Sequence, residues 1–366
     1  MKNSKILIII GIVIALAVIL TLSLKTQNQS SGKLQVFAVL PLSGAAAAPG
    51  NDAMKAMQTF AAVNPDIEIV FIDSESNPAK AITAVNQKLA TVQKPIVISA
   101  VTSISAALVP LVSSKGGFTF CLATLDTPVF EKLKDFQRLS HGTTDALAAV
   151  ADHIKSHYKN IVIISSNEEY GIGGAKAMEA MLQNKVKIAE IISYNPADLN
   201  VRETVAKAAG IKNIDAIFVI GVMSPAYLNI FRTMSQQKLQ DRVDIVADIS
   251  FSIPGVHNQL KEYADGIIFP CLDSDLSAPE TEPGKSFRQQ CLNNQYPAYY
   301  VPAQATDILN LIKYLYDNKI PINQKNISDI KVWKGVGCDI VLQPAGGCLY
   351  QFIMAEIKNN SLTRVR

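Results

Sequence analysis

The stretch NIVIIS at Asn160–Ser165 and the stretch IDAIFVI at Ile214–Ile220 decide the fold class of this chain. Both are short, continuous apolar runs rich in Ile and Val, the pattern of parallel strands that are covered on both faces. Between them, helical spacing at Gly174–Gln183 and Val201–Ala209 surrounds a third strand-like run at Val186–Ser193. Strands that alternate with amphipathic helices predict βαβ units in a parallel α/β sheet.

The same alternation continues on both sides of this stretch. Further strand-like runs lie at Leu34–Leu40, Ile67–Ile72, Pro95–Ala100, Gly117–Leu122, Val243–Asp248 and Gly266–Phe269. Two successive βα series predict two doubly wound parallel-sheet lobes. A single eight-stranded barrel fits less well, because the chain ends in a long helix, Val301–Tyr316, and a hairpin flanked by cysteines.

Each predicted lobe is discontinuous in sequence. The first lobe is expected to comprise residues 34–142 plus 271–330, and the second residues 143–270 plus 331–366. We expect three hinge crossovers between them, near Ser140–Thr144, Pro270–Asp273 and Lys331–Gly335. A ligand held between two such lobes shifts the equilibrium between an open and a closed form.

The N-terminal segment has the features of an export signal or a membrane anchor. Lys2 and Lys5 precede an apolar run at Ile6–Leu24, whose 19 residues come close to the ~20 that span a bilayer as a helix. No small-residue cleavage site ends the run, and the first cysteine is Cys121. We therefore expect residues 1–33 to be an anchor in the cytoplasmic membrane and a linker, with the remainder in the periplasm or at the cell surface; a cleaved signal peptide is the alternative.

Composition and motifs exclude several function classes. Lys and Arg number 34 against 31 Asp and Glu, and no basic cluster suited to a phosphate backbone is present, so no nucleic acid is expected as a partner. No nucleophile elbow, P-loop or pair of catalytic carboxylates is found, so we expect neither an enzyme nor a cofactor. His153 and His157 have the i, i+4 spacing of a metal-binding helix, but a solvated helix face is the favoured interpretation.

The five cysteines are compatible with an exported protein. Cys338 and Cys348 flank a predicted hairpin and are expected to form a disulfide, and Cys271 with Cys291 is a second possible pair. Zinc binding is disfavoured because no C-x-x-C spacing occurs. Cys121 is expected to be a buried thiol.

Candidate binding residues follow the predicted strands, because ligands of open α/β sheets bind beyond the carboxyl ends of the strands. Thr102, Ser103 and Ser105 open a helix, and their hydroxyls with the free N–H groups of its first turn suit a carboxylate. Plain helix capping is the alternative. Ala123 and Thr124 follow the next strand and are placed to contact the same anion, and Tyr170 lies beside glycines where its ring could cover a ligand.

Four short motifs occur in a characteristic order. They are PLSG at Pro41–Gly44, D-x-x-x-x-P from Asp73 to Pro78, EEYG at Glu168–Gly171, and Gly335 with Gly337 before the terminal hairpin. In this order, from Leu34 to the C-terminus, the chain resembles the branched-chain amino acid (Leu/Ile/Val) binding proteins of ABC importers, which have the type I periplasmic-binding fold.

The resemblance implies roles for the candidate residues. Ser103, with Thr102 or Ser105, and the Ala123–Thr124 pair would hold a ligand carboxylate, Tyr170 would cover it, and Asp248 would meet an ammonium group. The chain departs from the family at Pro49 and at Val222–Ser224, where aromatic residues are expected. The implied function is capture of an amino acid or a similar small carboxylate or amide for an ABC permease or membrane receptor. A membrane-anchored sensor or envelope interaction protein is the alternative.

Overall fold

A computed structural model describes residues 33–44, 46–123 and 133–365 of the chain, without the side chain of Thr143. Within this part, the first lobe is built on a parallel sheet in the order β2-β1-β3-β4-β5. Its strands are β1 (Leu34–Leu40), β2 (Ile67–Asp73), β3 (Ile96–Ala100), β4 (Phe118–Leu122) and β5 (Phe136–Arg138). The first three helices of the lobe are α1 (Ala47–Val63), α2 (Pro78–Lys88) and α3 (Thr102–Ser114).

The first sheet is buried on both faces, as its continuous apolar strands predict. Phe37 and Val39 pack with α2 and α3 on one face, whereas Val36 and Ala38 pack with α1 on the other. Burial of each Phe or Val side chain contributes about 1.5–3 kcal/mol, and the alternating direction of successive side chains distributes this contribution over both layers.

The second lobe repeats this arrangement. Its parallel strands β6 (Asn160–Ser166), β7 (Lys187–Tyr194), β8 (Ala216–Ile220), β9 (Asp244–Ala247) and β10 (Ile267–Cys271) lie in the order β10-β9-β8-β6-β7. Its helices are α4 (Thr143–His157), α5 (Glu169–Leu182), α6 (Arg202–Gly210), α7 (Pro225–Gln236) and α8 (Pro254–Leu260). The prediction of two doubly wound α/β lobes is therefore confirmed.

The chain then returns to the first lobe. Helices α9 (Glu282–Asn293) and α10 (Tyr300–Asp317) cover its sheet through Phe287, Leu309 and Ile312. A short helix, α11 (Gln324–Asp329), leads to a small antiparallel sheet of β11 (Val332–Lys334), β12 (Asp339–Leu342) and β13 (Cys348–Tyr350). Strands β14 (Ile353–Lys358) and β15 (Ser361–Arg364) finally extend the second sheet by pairing antiparallel with β10 and with each other.

The small sheet corrects the expected position of the third crossover. Ile340 and Leu342 are buried in the core of the first lobe, and the Arg138 guanidinium at the end of β5 donates to the Cys348 carbonyl at 2.7 Å. Residues 332–350 therefore pack with the first lobe, not with the second as expected. The chain crosses between the lobes after β13, at residues 351–352, instead of at Lys331–Gly335.

The structure also corrects the predicted disulfides, because none of the five cysteines, all of which lie in the described ranges, forms a disulfide. The strand register pairs Cys348 with Leu342, so Cys338, four residues earlier, does not lie opposite Cys348. Cys271 is buried in the core of the second lobe and Cys291 in that of the first. A disulfide needs two cysteines whose Cβ atoms face each other closely, and neither pair is bonded here.

The predicted anchor at Ile6–Leu24 lies outside the residues that the structure describes. Across the described ranges, none of the helices combines the length and the apolar character needed to traverse a bilayer.

One buried carboxyl group generates a prediction about stability. Asp307 on α10 is 1% exposed, its Oδ1 accepts from the Val336 backbone N–H at 2.8 Å, and its Oδ2 has no hydrogen-bond partner among the described residues. Burial raises the pKa of this carboxyl to about 8. Because the folded state binds the proton more tightly than the unfolded state, the stability due to this group is lost as pH rises from about 4 through about 8.

Asp307→Asn should therefore become progressively more stable than the parent as pH rises. We expect similar melting temperatures near pH 4 and a higher melting temperature for the variant at pH 9, by thermal unfolding. Asp317→Asn, on the same helix with a half-exposed side chain, serves as the control and should follow the parent at each pH. Parallel profiles for Asp307→Asn and the parent would contradict this interpretation.

Candidate ligand-binding site

A cavity of about 380 Å³ lies between the carboxyl ends of the two parallel sheets. Its volume falls in the range of roughly 300–1,000 Å³ that is common for small-molecule sites. The first lobe contributes residues that follow β1, β3, β4 and β5, and the second lobe contributes residues that follow β6, β8 and β9. Most of the wall is apolar; its polar side chains are Thr102, Ser140, His141, Tyr170, Ser250, Tyr300 and Gln304.

The first turn of α3 forms part of the first-lobe wall. Val101 caps this helix with φ 72° and ψ 131°, and the cap makes no side-chain hydrogen bond. A positive φ is costly for a β-branched residue, and such conformations persist where the surrounding fold enforces them, often at binding sites. Val101 and Thr102 both line the cavity, so the N–H groups and positive dipole end of this helix lie at its wall.

The predicted serine loop is divided between three environments. Thr102 lines the cavity, whereas Ser103 is exposed and does not belong to the cavity wall. Ser105 is fully buried beneath the loop, where its Oγ lies 2.7 Å from Ser99 Oγ. Ala123 lines the cavity, and Thr124 lies outside the described residues.

The EEYG motif positions Tyr170 at the second-lobe wall. Glu168 caps α5 by accepting hydrogen bonds from the backbone N–H groups of Tyr170 and Gly171, at 2.8 and 3.0 Å. Gly171 packs directly on the backbone of Ser166, where a Cβ would collide with the Ser166 carbonyl oxygen. The glycine therefore permits the close strand-to-helix turn that places Tyr170 in the cavity wall.

Asp248 lies behind that wall and is 1% exposed. Tyr227 donates to its Oδ1 at 2.6 Å, and Tyr170 and Ser250 donate to its Oδ2 at 2.8 and 2.9 Å. Burial raises the pKa of the Asp248 carboxyl to about 6, and the hydroxyl hydrogen bonds oppose that increase. Asp248 thus orients Tyr170 and Ser250, which are the residues of this network that line the cavity.

Sequence reasoning did not identify Tyr227, although it supplies the shortest hydrogen bond to Asp248. Its position is set by the start of α7, where the Ser224 hydroxyl accepts from the Tyr227 backbone N–H at 3.2 Å. Val222 and Met223, which replace the expected aromatic residue, line the cavity with side chains that are 38% and 47% exposed. The second-lobe wall is therefore partly aliphatic.

A second group of cavity residues was also missed: Ser140, His141 and Gln304. They come from the first crossover and from α10, and they are 4%, 4% and 0% exposed. The Ser140 hydroxyl donates to Gln304 Oε1 at 3.0 Å, and Gln304 Nε2 lies 3.0 Å from His141 Nδ1. The one feature of the sequence that could have pointed to this group is His141, which lies in the predicted hinge. Its partner Gln304 is remote in sequence.

The interpretation of His153 and His157 as a solvated helix face is wrong for His153, which is 8% exposed. Its ring stacks on His157 at 4.2 Å between centroids, and its Nε2 lies 3.4 Å from the Tyr158 hydroxyl. Burial lowers the pKa of His153 to about 4. Among the described residues, no group of three or more His, Cys, Asp or Glu side chains is arranged to hold a metal ion.

Residues 34–306 match the sequence model of the family described as periplasmic binding protein. The chain belongs to this family. Membership places this periplasmic binding protein outside the cytoplasm and among the substrate-binding proteins of transporters, a class distinct from enzymes. A comparison with curated protein sequences found no match.

Solved structures with the same fold include LivJ of Streptococcus pneumoniae in complex with isoleucine. It is 20% identical with a TM-score of 0.74, and the alignment covers 90% of this chain and 97% of that one. A solute-binding protein of Rhodopseudomonas palustris BisB5 with 3,4-dihydroxybenzoic acid is 14% identical with a TM-score of 0.75, covering 92% and 96%. LivK of Thermotoga maritima is 16% identical with a TM-score of 0.72, covering 91% and 98%. At these identities the similarity shows the fold.

Proposed function

We propose that this periplasmic binding protein captures a small carboxylate between its lobes and delivers it to an ABC permease. The observation that carries the proposal is the cavity at the facing carboxyl ends of the two sheets, with a helix N-terminus on one side and Tyr170 on the other. Similar folds hold isoleucine in one relative and 3,4-dihydroxybenzoic acid in another, so an anionic carboxyl is the feature that these two ligands share.

The carboxylate half of the ligand would bind at the first turn of α3. Backbone N–H groups at a helix N-terminus suit an anion because they are unsatisfied within the helix and lie at its positive end. The Thr102 hydroxyl adds a donor in the same turn, and the Ala123 backbone lies on the adjacent strand end. A site built in this way does not depend on Lys or Arg side chains, and among the described residues no Lys or Arg lines the cavity.

The other half of the ligand would contact the second lobe. Val222, Met223 and Ile249 offer apolar surface there, and Asp248 does not reach the cavity wall. These features favour a carboxylate with a mainly apolar, uncharged remainder. An amino acid is the second candidate. Tyr170 and Ser250 use their hydroxyl protons to donate to Asp248, so their oxygens can only accept hydrogen bonds from a ligand. These acceptors, with the negative charge of Asp248 behind them, suit an ammonium group.

Closure would follow from contacts that one ligand makes with both lobes. The lobes are joined at residues 140–142, at the bond between Cys271 and Leu272, and at residues 351–352. A ligand that binds the closed form more tightly than the open form shifts the population by that difference in affinity. The closed form would then be the one that docks on the permease.

Thr102→Val tests the carboxylate site. The substitution keeps the side-chain shape and removes one hydrogen bond to a charged group, which contributes about 1.5–3 kcal/mol. We expect affinity for the bound carboxylate to fall roughly tenfold to a hundredfold by isothermal titration calorimetry with benzoate, 4-hydroxybenzoate, leucine and isoleucine. Ser103→Ala, in the same turn but outside the cavity wall, is the matched control. Equal losses in the two variants would reject this assignment.

The pH dependence of affinity separates the two ligand classes. The pKa of Asp248 is about 6, so the carboxyl is ionised at pH 7.5 and largely neutral at pH 5. Ionised Asp248 attracts an ammonium group, and affinity for leucine should then decrease as pH falls over this interval. The same negative charge repels a ligand that carries only a carboxylate, so affinity for benzoate should increase as pH falls over this interval. Asp248→Asn should flatten either profile; an unchanged profile in that variant would exclude Asp248 as the cause.

We further propose that the Ile6–Leu24 run keeps the protein attached to the cytoplasmic membrane. Cell fractionation should find the full-length chain in the membrane fraction, with residues 34–366 accessible to protease from the periplasmic side. Replacing residues 1–33 by a cleavable signal peptide provides the control and should release the protein. A soluble native product that begins after about residue 24 would refute the anchor.

The same apolar run favours a second candidate function, a membrane-anchored sensor that has no transport partner. Crosslinking in cells distinguishes the two roles. A transport role requires capture of an ABC permease, and a sensor would be captured with a signalling receptor instead.

A further inference from the structure

The hinge-side wall of the cavity contains three interlinked polar side chains, Ser140, His141 and Gln304. Ser140 and His141 belong to the first crossover, and Gln304 lies in the second turn of α10. All three are at most 4% exposed. Burying polar groups in an apolar wall is costly unless each is hydrogen-bonded, and in ligand cavities such groups commonly determine specificity.

The hydrogen bonds in this group run in one direction. The Ser140 hydroxyl donates to Gln304 Oε1, which leaves Gln304 Nε2 to donate to His141 Nδ1, both at 3.0 Å. A serine hydroxyl carries one proton and two acceptor lone pairs. Because the proton of Ser140 is used by Gln304, its oxygen can only accept a hydrogen bond from a ligand. Successive hydrogen bonds of the same direction also polarise and strengthen one another.

Aromatic contacts hold this arrangement in place. The His141 ring packs edge-on against Tyr300 at 4.9 Å and against Phe352 at 5.4 Å, measured between centroids. Phe352 lies in the third crossover and Tyr300 begins α10. The imidazole is thus fixed by residues from two other segments, and through Gln304 it determines the direction of the Ser140 proton.

The strand order sets the distance between Ser140 and the proposed carboxylate site. Thr102 follows β3 and Ser140 follows β5, with β4 between these two strands. Two strand spacings of 4.7–4.9 Å separate the strand ends by roughly 10 Å. A hydroxyl next to a carboxyl group, as in a short hydroxy acid, cannot reach both positions, whereas a hydroxyl across an aromatic ring can approach both.

We propose that Ser140 is a ligand-contacting residue that accepts a hydrogen bond from a hydroxyl group at the far end of the bound carboxylate, with Gln304 and His141 as positioning residues. The ligand class is then a small aromatic carboxylate with a hydroxyl opposite its carboxyl group. This inference rests on the proposed capture of a carboxylate in the same cavity. It adds a polar subsite beside the hinge that selects hydrogen-bond donors over acceptors.

The test measures the affinities of the full chain for benzoate, 4-hydroxybenzoate and 4-formylbenzoate by calorimetry. A neutral hydrogen bond contributes about 0.5–1.5 kcal/mol, so the parent should prefer 4-hydroxybenzoate over benzoate by roughly threefold to tenfold. The formyl oxygen can only accept, so 4-formylbenzoate should show no such gain. Ser140→Ala should abolish the preference, so that this variant binds benzoate and 4-hydroxybenzoate with equal affinity.

Gln304→Met tests the positioning role. Without the amide, the Ser140 proton is released and can donate, so 4-formylbenzoate should gain affinity relative to 4-hydroxybenzoate. A purely structural role for Gln304 would lower all three affinities equally. Ser74→Ala is the matched control, since Ser74 is a fully buried serine of the first lobe outside the cavity wall.

The outcomes separate this inference from the proposed function. Equal affinity of the parent for benzoate and 4-hydroxybenzoate, with a loss in Thr102→Val, would overturn the hydroxyl subsite and leave carboxylate capture standing. A preference that persists in Ser140→Ala would overturn the subsite as well. If none of the aromatic acids and neither leucine nor isoleucine binds, both the proposed function and this inference fail.

Discussion

A strand of a parallel sheet must be followed by a crossover, because one strand finishes at the carboxyl end of the sheet and the next strand begins at the amino end. In this chain the constraint applies to both sheets, and it brings the carboxyl ends of β1, β3, β4 and β5 to one side of the first lobe. The ends of β6, β8 and β9 converge in the same way on the second lobe. The cavity residues are placed by this convergence, and the buried Val and Ile side chains of the strands make it rigid.

Two buried carboxyl groups differ in the number of hydrogen bonds that they accept, and their pKa values differ accordingly. Asp248 receives three side-chain hydroxyl hydrogen bonds, and its pKa is raised by burial to about 6. Asp307 has one backbone hydrogen bond, and burial raises its pKa to about 8. Hydrogen bonds to the charged form offset desolvation, so the carboxyl with more donors stays nearer to its usual value. Asp248 therefore remains ionised at neutral pH beside the cavity, whereas Asp307 is largely a neutral structural group.

The segments that join the lobes also form part of the cavity. Ser140 and His141 lie in the first crossover, and Phe352 in the third crossover packs against His141. A ligand in contact with Ser140 would touch the segment whose dihedral angles change when the lobes close. In the proposed closure, binding would therefore be linked to the lobe movement by direct contact, without a path through the lobe cores.

The amino-acid sequence by itself determined the fold class, because continuous Ile and Val runs alternating with helical periods leave few architectures other than parallel α/β lobes. It also located Thr102, Ala123 and Tyr170 at strand ends, where the structure places them in the cavity wall. Local pattern could not distinguish Ser103 and Ser105 from Thr102, since rotation along one helical turn decides which side chain faces solvent, core or cavity. Nor could it place residues 332–350, whose core contacts come from a lobe that begins about 300 residues earlier. Only the tertiary structure joined Ser140 to Gln304, which are 164 positions apart, because no sequence spacing encodes a contact between separate elements.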